Sequence, residues 1–410
     1  MSTVRFLAPD TDAYVSSVLK HKKEFTETTG IALDIEILPS DEYFANKISG
    51  QLNAETPSDV FMSGPVLLWE HLPAGNVQNL DEFVTSSSSD WDFHDFFPSL
   101  INSNRWTGKF GDRLGNGPLL EIPVNCESYN LTYVPATLQK YNVAVPKTWS
   151  EYFAASKKIS DSSNGEIFGF GQRGLDVWHT MYTGYATQVW SYGGSDFNSA
   201  GKCTVDSEEV IKATEDFITA LQQSGAPEWT DRRWYELAMD FANGKYGLIV
   251  DSDHYVAYFE DAQYSSLVGN FGYALPPKGP TGLIKPNLWT WSLVMNARSQ
   301  NKSGAWQFIE WASSKKFLTR SAFEGNMNPT RKSTWEAPEF VDLVKPWGDF
   351  AKIGRELIEN YASVLITPAT NYREVADVWV RALRSAYLGE VSVRDALTSA
   401  AREMDKKVAR

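Results

Sequence analysis

Two tryptophans one residue apart, Trp289 and Trp291 in Pro286-Asn287-Leu288-Trp289-Thr290-Trp291-Ser292, are the side chains whose type and spacing say most about chemistry. Hydrocarbon cores favour aliphatic residues, whereas indole rings set among Gly, Pro and short polar residues offer flat faces with a polar edge. Such faces suit the C–H side of a polyhydroxylated molecule, and aromatic rings commonly line small-molecule pockets. The chain has 15 Trp. Trp178, Trp190, Trp229 and Trp234 are further candidates of this kind, while Trp306 and Trp311 lie in a helical pattern, Ala305-Trp306-Gln307-Phe308-Ile309-Glu310-Trp311-Ala312, and read as core.

Hydroxyls also need polar partners. Arg173, in Gly171-Gln172-Arg173-Gly174, carries a fork of five donors that matches adjacent hydroxyls, with an ion pair as its competing role. Asp251-Ser252-Asp253-His254 follows an apolar run and reads both as a helix N-cap and as a cleft position meeting hydroxyls. Gly169-Phe170-Gly171-Gln172-Arg173-Gly174 has the letters of a dinucleotide fingerprint without its context of a full preceding strand and a later strand-ending acid. The five histidines stand far apart and neither Cys126 nor Cys203 has zinc-ligand spacing, so no metal or cofactor is expected. The 51 Asp and Glu residues would supply a glycosidase pair, yet no spacing picks two out and no Gly-x-Ser-x-Gly elbow is present. No catalytic residue is assigned.

These side chains need a frame. At 410 residues the chain exceeds one growing core and implies two domains. A net charge of −13 repels phosphate backbones and anionic lipid, so nucleic acid is not an expected partner, and no apolar run is long enough to span a bilayer. The chain opens Met1-Ser2-Thr3 and enters Val4-Arg5-Phe6-Leu7-Ala8 at once, without the basic stretch and long apolar segment of a leader, as expected either of a cytoplasmic protein or of one whose leader has been trimmed.

Residues 4–8 read as a strand, Tyr14, Val15, Val18, Leu19 and Phe25 as one face of a helix ended by Gly30, and Ile31 to Ile37 as a second strand. This β-α-β unit implies a parallel sheet covered by helices, an α/β fold. Further expectations are a helix from Asp41 to about Leu52, a strand over 58–62, a solvated loop over 85–90, and extended chain through Ile122-Pro123-Val124-Asn125. Helices are expected over 148–159, 208–223 and 303–313, with a strand over 246–250, the Trp289 and Trp291 segment as a loop, and a mostly helical stretch beyond Glu339.

Several separated stretches resemble, in order and spacing, the extracellular solute-binding proteins of sugar ABC transporters, the family that includes maltose-binding protein. They are Pro57-Ser58-Asp59-Val60, Gly75-Asn76-Val77-Gln78-Asn79-Leu80-Asp81, Val145-Pro146-Lys147-Thr148-Trp149-Ser150-Glu151, Asn243-Gly244-Lys245-Tyr246-Gly247-Leu248 and Pro329-Thr330-Arg331. Gly171-Gln172-Arg173-Gly174 and Leu288-Trp289-Thr290-Trp291-Ser292-Leu293 look most like the branch that takes sugar alcohols and small sugars. The resemblance implies a two-lobed periplasmic-binding-protein fold with three interlobe crossings. The lobes are expected at 1–121 with 276–329 and at 122–275 with 330–410, and the hinges near 119–125, 273–279 and 326–332. It implies a receptor that closes on a small sugar, sugar alcohol or glycoside and delivers it to the permease subunits of an ABC importer. Carried over position by position, the contacts are Asp10, Thr11, Asp12, Tyr43, Ser63, Arg173, Trp178, Asp253, His254, Trp289, Trp291 and Arg331. A trimmed leader, a periplasmic address and a monomer follow from the same likeness, with lipid anchorage as the other address. An anionic sugar held by Arg173 or Arg331, and a glycoside-active enzyme, are the competing functions.

Overall fold

A computed structural model describes residues 2–10, 13–44, 48–174 and 177–409. Seven strands are defined: β1 (Thr3–Pro9), β2 (Ala32–Leu38), β3 (Val60–Ser63), β4 (Ile122–Tyr133), β5 (Leu248–Ser252), β6 (Gly272–Ala274) and β7 (Leu288–Met295). The chain divides into two compact units. The first comprises Met1–Cys126, Trp289–Leu343 and Pro368–Thr370, and the second Glu127–Leu288, Val344–Thr367 and Asn371–Arg410.

In the first unit the strand order is β2-β1-β3-β7. β1 pairs in parallel with β2 from Thr3 opposite Ala32 to Pro9 opposite Leu38, and in parallel with β3 at Phe6 and Leu7. β7 runs antiparallel to β3, from Val60 opposite Met295 to Ser63 opposite Ser292. β1 is inner, so Val4, Phe6, Leu7 and Ala8 are all buried, whereas β2 lies at the sheet edge and keeps much of its length accessible. The helix Ala13–Thr29 buries Tyr14, Val15, Ser17, Val18 and Phe25, but Leu19, expected on that face, is exposed.

Three local expectations are corrected. Where a single helix over 41–52 was expected, the described residues form two, Ser40–Phe44 and Ser49–Leu52, with 45–47 outside the described residues. The serine run is structured: the helix Asp81–Ser86 reaches into it, and the Ser88 hydroxyl then accepts from the Trp91 N–H at 3.3 Å, capping a 3-10 turn. The tryptophan segment is strand β7, because Leu288, Thr290 and Ser292 alternate with Trp289 and Trp291 at the period of a pleated strand.

The Arg331 side chain is fully buried inside the first unit. Nε donates to the Ser313 carbonyl at 2.7 Å, Nη1 donates to the Asp92 carbonyl at 2.9 Å and lies 3.3 Å from the Asp95 carboxylate, and the guanidinium sits 4.0 Å from the Phe96 ring centroid. Burial pulls its pKa down to about 10, against the pull of Asp95. A guanidinium so enclosed contributes to the fold.

In the second unit β4 pairs antiparallel with β5, from Tyr129 opposite Ser252 to Tyr133 opposite Leu248, and with β6 from Leu131 to Tyr133. An extended segment runs parallel beside β5 through bridges Phe168 to Tyr246 and Gly171 to Ile249. The helix Trp149–Ser162 starts where the Thr148 hydroxyl accepts from the Glu151 N–H, and the helix Glu208–Ser224 where the Ser207 hydroxyl accepts from the Val210 N–H. The amphipathic helices Tyr372–Tyr387 and Val393–Lys407 pack together. Cys126 and Cys203 are both buried. Among the described residues no helix is long and apolar enough to cross a membrane.

Removing the Arg331 guanidinium while keeping bulk leaves Asp95 and two carbonyls without it. Arg331→Met is expected to lower unfolding free energy by about 3 kcal/mol, read from urea denaturation at unchanged slope. A loss below about 0.5 kcal/mol would contradict the structural role.

Candidate ligand-binding surfaces

In the second unit the chemistry gathers at the end of β5. Asp251 is carried on a fully buried strand, and Arg173 reaches it from the neighbouring extended segment. Nε lies 3.0 and 3.1 Å from the two Asp251 oxygens, and Nη2 lies 2.5 Å from Oδ1. The guanidinium carbon is 5.3 Å from the Tyr255 ring centroid and 5.8 Å from that of Tyr129, while Glu127 Oε2 stands 3.9 Å from Nη2. The backbone is fixed too. The Trp229 indole donates to the Arg173 carbonyl at 2.9 Å, and a Cβ on Gly174 would stand 1.7 Å from the Trp229 carbonyl oxygen. The glycine of the false fingerprint is therefore set by this close approach, not by a phosphate.

Burial disfavours the charged guanidinium, yet Asp251, Tyr255, Tyr129 and Glu127 outweigh it and push Arg173 well above its ordinary value. Burial also raises the Asp251 carboxyl, with Arg173 pulling the other way. Three hydrogen bonds from an always-charged partner keep this carboxylate ionised. Tyr129 and Tyr255 are pushed up by burial and remain neutral.

The other predicted groups of this unit lie on the same stretches of chain. Asp253 is buried and its Oδ1 accepts from the Ser128 N–H at 2.9 Å, next to Glu127 in sequence. The helix N-cap expected within Asp251-Ser252-Asp253-His254 is made by Ser252, whose hydroxyl accepts from the His254 N–H at 3.2 Å. His254 is half-buried on the turn that follows. Trp178 is half-buried, edge-on to His179 with 5.5 Å between centroids, and lies under the Arg373 guanidinium at 5.9 Å. Burial, with Arg173 and Arg233 adding positive charge, brings the His179 pKa down to about 3.

In the first unit, Asp10 follows β1 and Ser63 ends β3, so both stand at the carboxyl ends of parallel strands, and antiparallel β7 begins there. Crevices at carboxyl ends are where open α/β sheets bind ligands. Trp289 and Trp291 pack edge to face, 5.4 Å between centroids at 64°. The Trp289 ring lies over Gly64, where a Cβ would come within 2.5 Å of it. Trp289 is 6% exposed and Trp291 half-buried. Asp10 is exposed and its carboxylate accepts from the Ser40 N–H at 3.0 Å and hydroxyl at 2.8 Å. Thr11 and Asp12 lie outside the described residues.

Two expected contacts of this unit turn inward. The buried Tyr43 hydroxyl donates to the Met62 carbonyl at 2.6 Å, with the Leu7 carbonyl at 3.3 Å, tying β1 to β3. The buried Ser63 hydroxyl donates to the Gly64 carbonyl at 3.3 Å. Conversely, Asp251, Tyr129, Tyr255 and Glu127 were not predicted as site residues. The available signal was Arg173 itself, since a guanidinium flanked by buried strands requires a carboxylate partner.

Residues 8–317 match the family of bacterial extracellular solute-binding proteins, and the chain belongs to it. An erythritol/L-threitol-binding protein of Mycolicibacterium smegmatis is 29% identical over 378 residues, covering 90% of this chain and 78% of its own. An ABC transporter solute-binding protein of Agrobacterium radiobacter K84, solved with ribitol, superposes with a TM-score of 0.85 at 20% identity, covering 99% of this chain and 98% of that one. Another from Agrobacterium vitis S4, with bound D-mannitol, gives 0.81 at 22% identity and 100% coverage of both. The α/β periplasmic-binding-protein fold expected from the sequence is the one observed.

His179 carries a pH signature. Its folded pKa of about 3 lies below the ordinary 6.5, so below pH 6.5 the unfolded chain binds the proton first. Its contribution to stability is complete above pH 6.5 and declines as pH falls from 6.5 towards 3. His179→Gln should flatten the fall in melting temperature over this window; an unchanged profile would show that His179 titrates normally.

Proposed function

We propose that this chain is an extracytoplasmic receptor that binds a small sugar alcohol or sugar and delivers it to the permease of an ABC importer. The observation that carries this reading is the buried Arg173–Asp251 pair flanked by Tyr129 and Tyr255. Guanidinium and carboxylate each meet two adjacent hydroxyls, one as donor and the other as acceptor, so the pair offers both halves of what a vicinal diol requires. Trp289 and Trp291 supply ring surface for the C–H side of the same class of molecule. Asp10, Trp178, Asp253 and His254 remain proposed contacts of the two surfaces, and Thr11 and Asp12 belong to the same proposal.

Charge favours a neutral ligand over an anionic one. Around Arg173 stand Asp251, with Glu127 at 3.9 Å, and Asp253 on the next turn, so carboxylates outnumber the cation. A sulfonate or phosphate would meet net negative charge there. The 29% identity to an erythritol/L-threitol-binding protein supports short alditols as the first ligands to try. We read the protein as a non-catalytic, monomeric receptor of the periplasm whose ligand leaves unchanged.

Thermal shift and titration calorimetry with erythritol, L-threitol, ribitol and D-mannitol, beside glucose 6-phosphate, test this. A saturable rise in melting temperature with at least one alditol, recovered intact, is expected. Arg173→Lys, which keeps charge but loses the fork, should weaken that alditol by about 10- to 100-fold. Binding only of the phosphorylated sugar, full affinity in Arg173→Lys, or release of a product from a glycoside would each overturn the reading.

A further inference from the structure

Behind the tryptophan pair lies a buried polar cluster that no ligand-binding role explains. Asn104, the residue capping the helix Pro98–Ser103, is fully buried, as are Glu121, Thr290 and Ser292. Its Oδ1 accepts from the Thr290 hydroxyl at 3.0 Å and from the Ser103 hydroxyl at 3.1 Å. Its Nδ2 donates to the Ser292 hydroxyl at 3.0 Å and reaches the Glu121 carbonyl at 3.4 Å, while its own carbonyl accepts from the Leu120 N–H at 3.0 Å.

Thr290 and Ser292 share one face of β7, and Trp289 and Trp291 share the other, because strand side chains alternate. A one-residue slip of β7 would exchange the two faces. One amide thus grips the strand at two consecutive positions of its inner face and sets the outer face that carries both indoles. An apolar residue at 104 would leave two buried hydroxyls without their partner, whereas apolar residues at all three positions would leave the face unspecified. Burial pushes the Glu121 carboxyl well above its ordinary value, with Ser292 pulling it down.

We propose that Asn104 is the positioning residue for the tryptophan pair: its side-chain amide, bonded to the Thr290 and Ser292 hydroxyls, holds β7 so that Trp289 and Trp291 stack in the orientation that meets ligand. The consequence for ligand rests on the receptor reading above; the consequence for ring geometry does not.

Two indoles 5.4 Å apart at 64° are expected to couple through their intense far-ultraviolet transitions, so the pair's circular dichroism couplet is read as the difference spectrum against Trp291→Phe. Asn104→Asp keeps size and the acceptor for Thr290 but loses the donor to Ser292. It is expected to change this couplet in the ligand-free protein and to weaken alditol binding by about tenfold. Thr290→Val, which preserves shape, serves if Asn104→Asp does not fold, with the same direction expected. Thr334→Val, which removes a buried hydroxyl bonded to Thr319 elsewhere in the unit, is the control that loses stability and keeps the couplet. Asn104→Asp or Thr290→Val with lowered melting temperature but native couplet and native affinity would overturn the proposal. The two readings fail separately: Trp289→Phe and Trp291→Phe at full alditol affinity would refute the ligand role of the pair, and an unmoved couplet would refute the positioning role of Asn104.

Discussion

A charged fork held in a dry place is the constraint on which the second unit depends. Arg173 and Asp251 come from adjacent extended segments, and neither tolerates burial alone: a lone buried ion costs several kcal/mol, which only a well-aligned partner offsets. Gly174 pressed against Trp229, and the Trp229 indole bonded to the Arg173 carbonyl, set where the guanidinium begins. Asp251 is set by its place on buried β5 opposite Asn130. Under the proposed function, ligand finds donors and acceptors already oriented, and the ordering cost of two flexible polar groups has been met in folding.

The first unit solves a similar problem with rings in place of charge. Trp289 lies on Gly64 and against Trp291, and the strand under them is fastened on its inner face by hydroxyls and one amide. Both arrangements orient a face suited to a polyol by satisfying buried polar groups behind it. Arg331 shows the same chemistry inside the first unit: Nε and Nη1 end on carbonyls and Asp95, and its plane lies on Phe96.

Much of this was legible in the chain. The opening β-α-β, the helices expected over 148–159 and 208–223, and the α/β class follow from local periodicity, which the structure reproduces. Strand β7 was read as a loop because its partner β3 lies more than two hundred residues away, and pairing at that distance leaves no local mark beyond an alternation that Pro286 and Asn287 obscure. Arg173 and Arg331 looked alike in sequence. Burial and partners separate them, and both depend on residues distant in the chain: Asp251 for one, Asp92 and Asp95 for the other. The bonds of Tyr43 were hidden for a related reason, since a tyrosine's hydroxyl reads equally as a ligand contact or as a tie between strands until its neighbours are known.

Nitrogen-15 NMR of the Arg173 side chain, compared without ligand and with a saturating alditol, tests most directly whether the fork is fixed before ligand arrives. A slowly exchanging Nε–H whose shift is already that of a carboxylate-bonded guanidinium in the free protein, with ligand moving chiefly the terminal nitrogens, is the predicted result. A fast-exchanging, motionally averaged Nε–H that locks only on binding would contradict it, and the pair would then be formed by the ligand rather than by the fold.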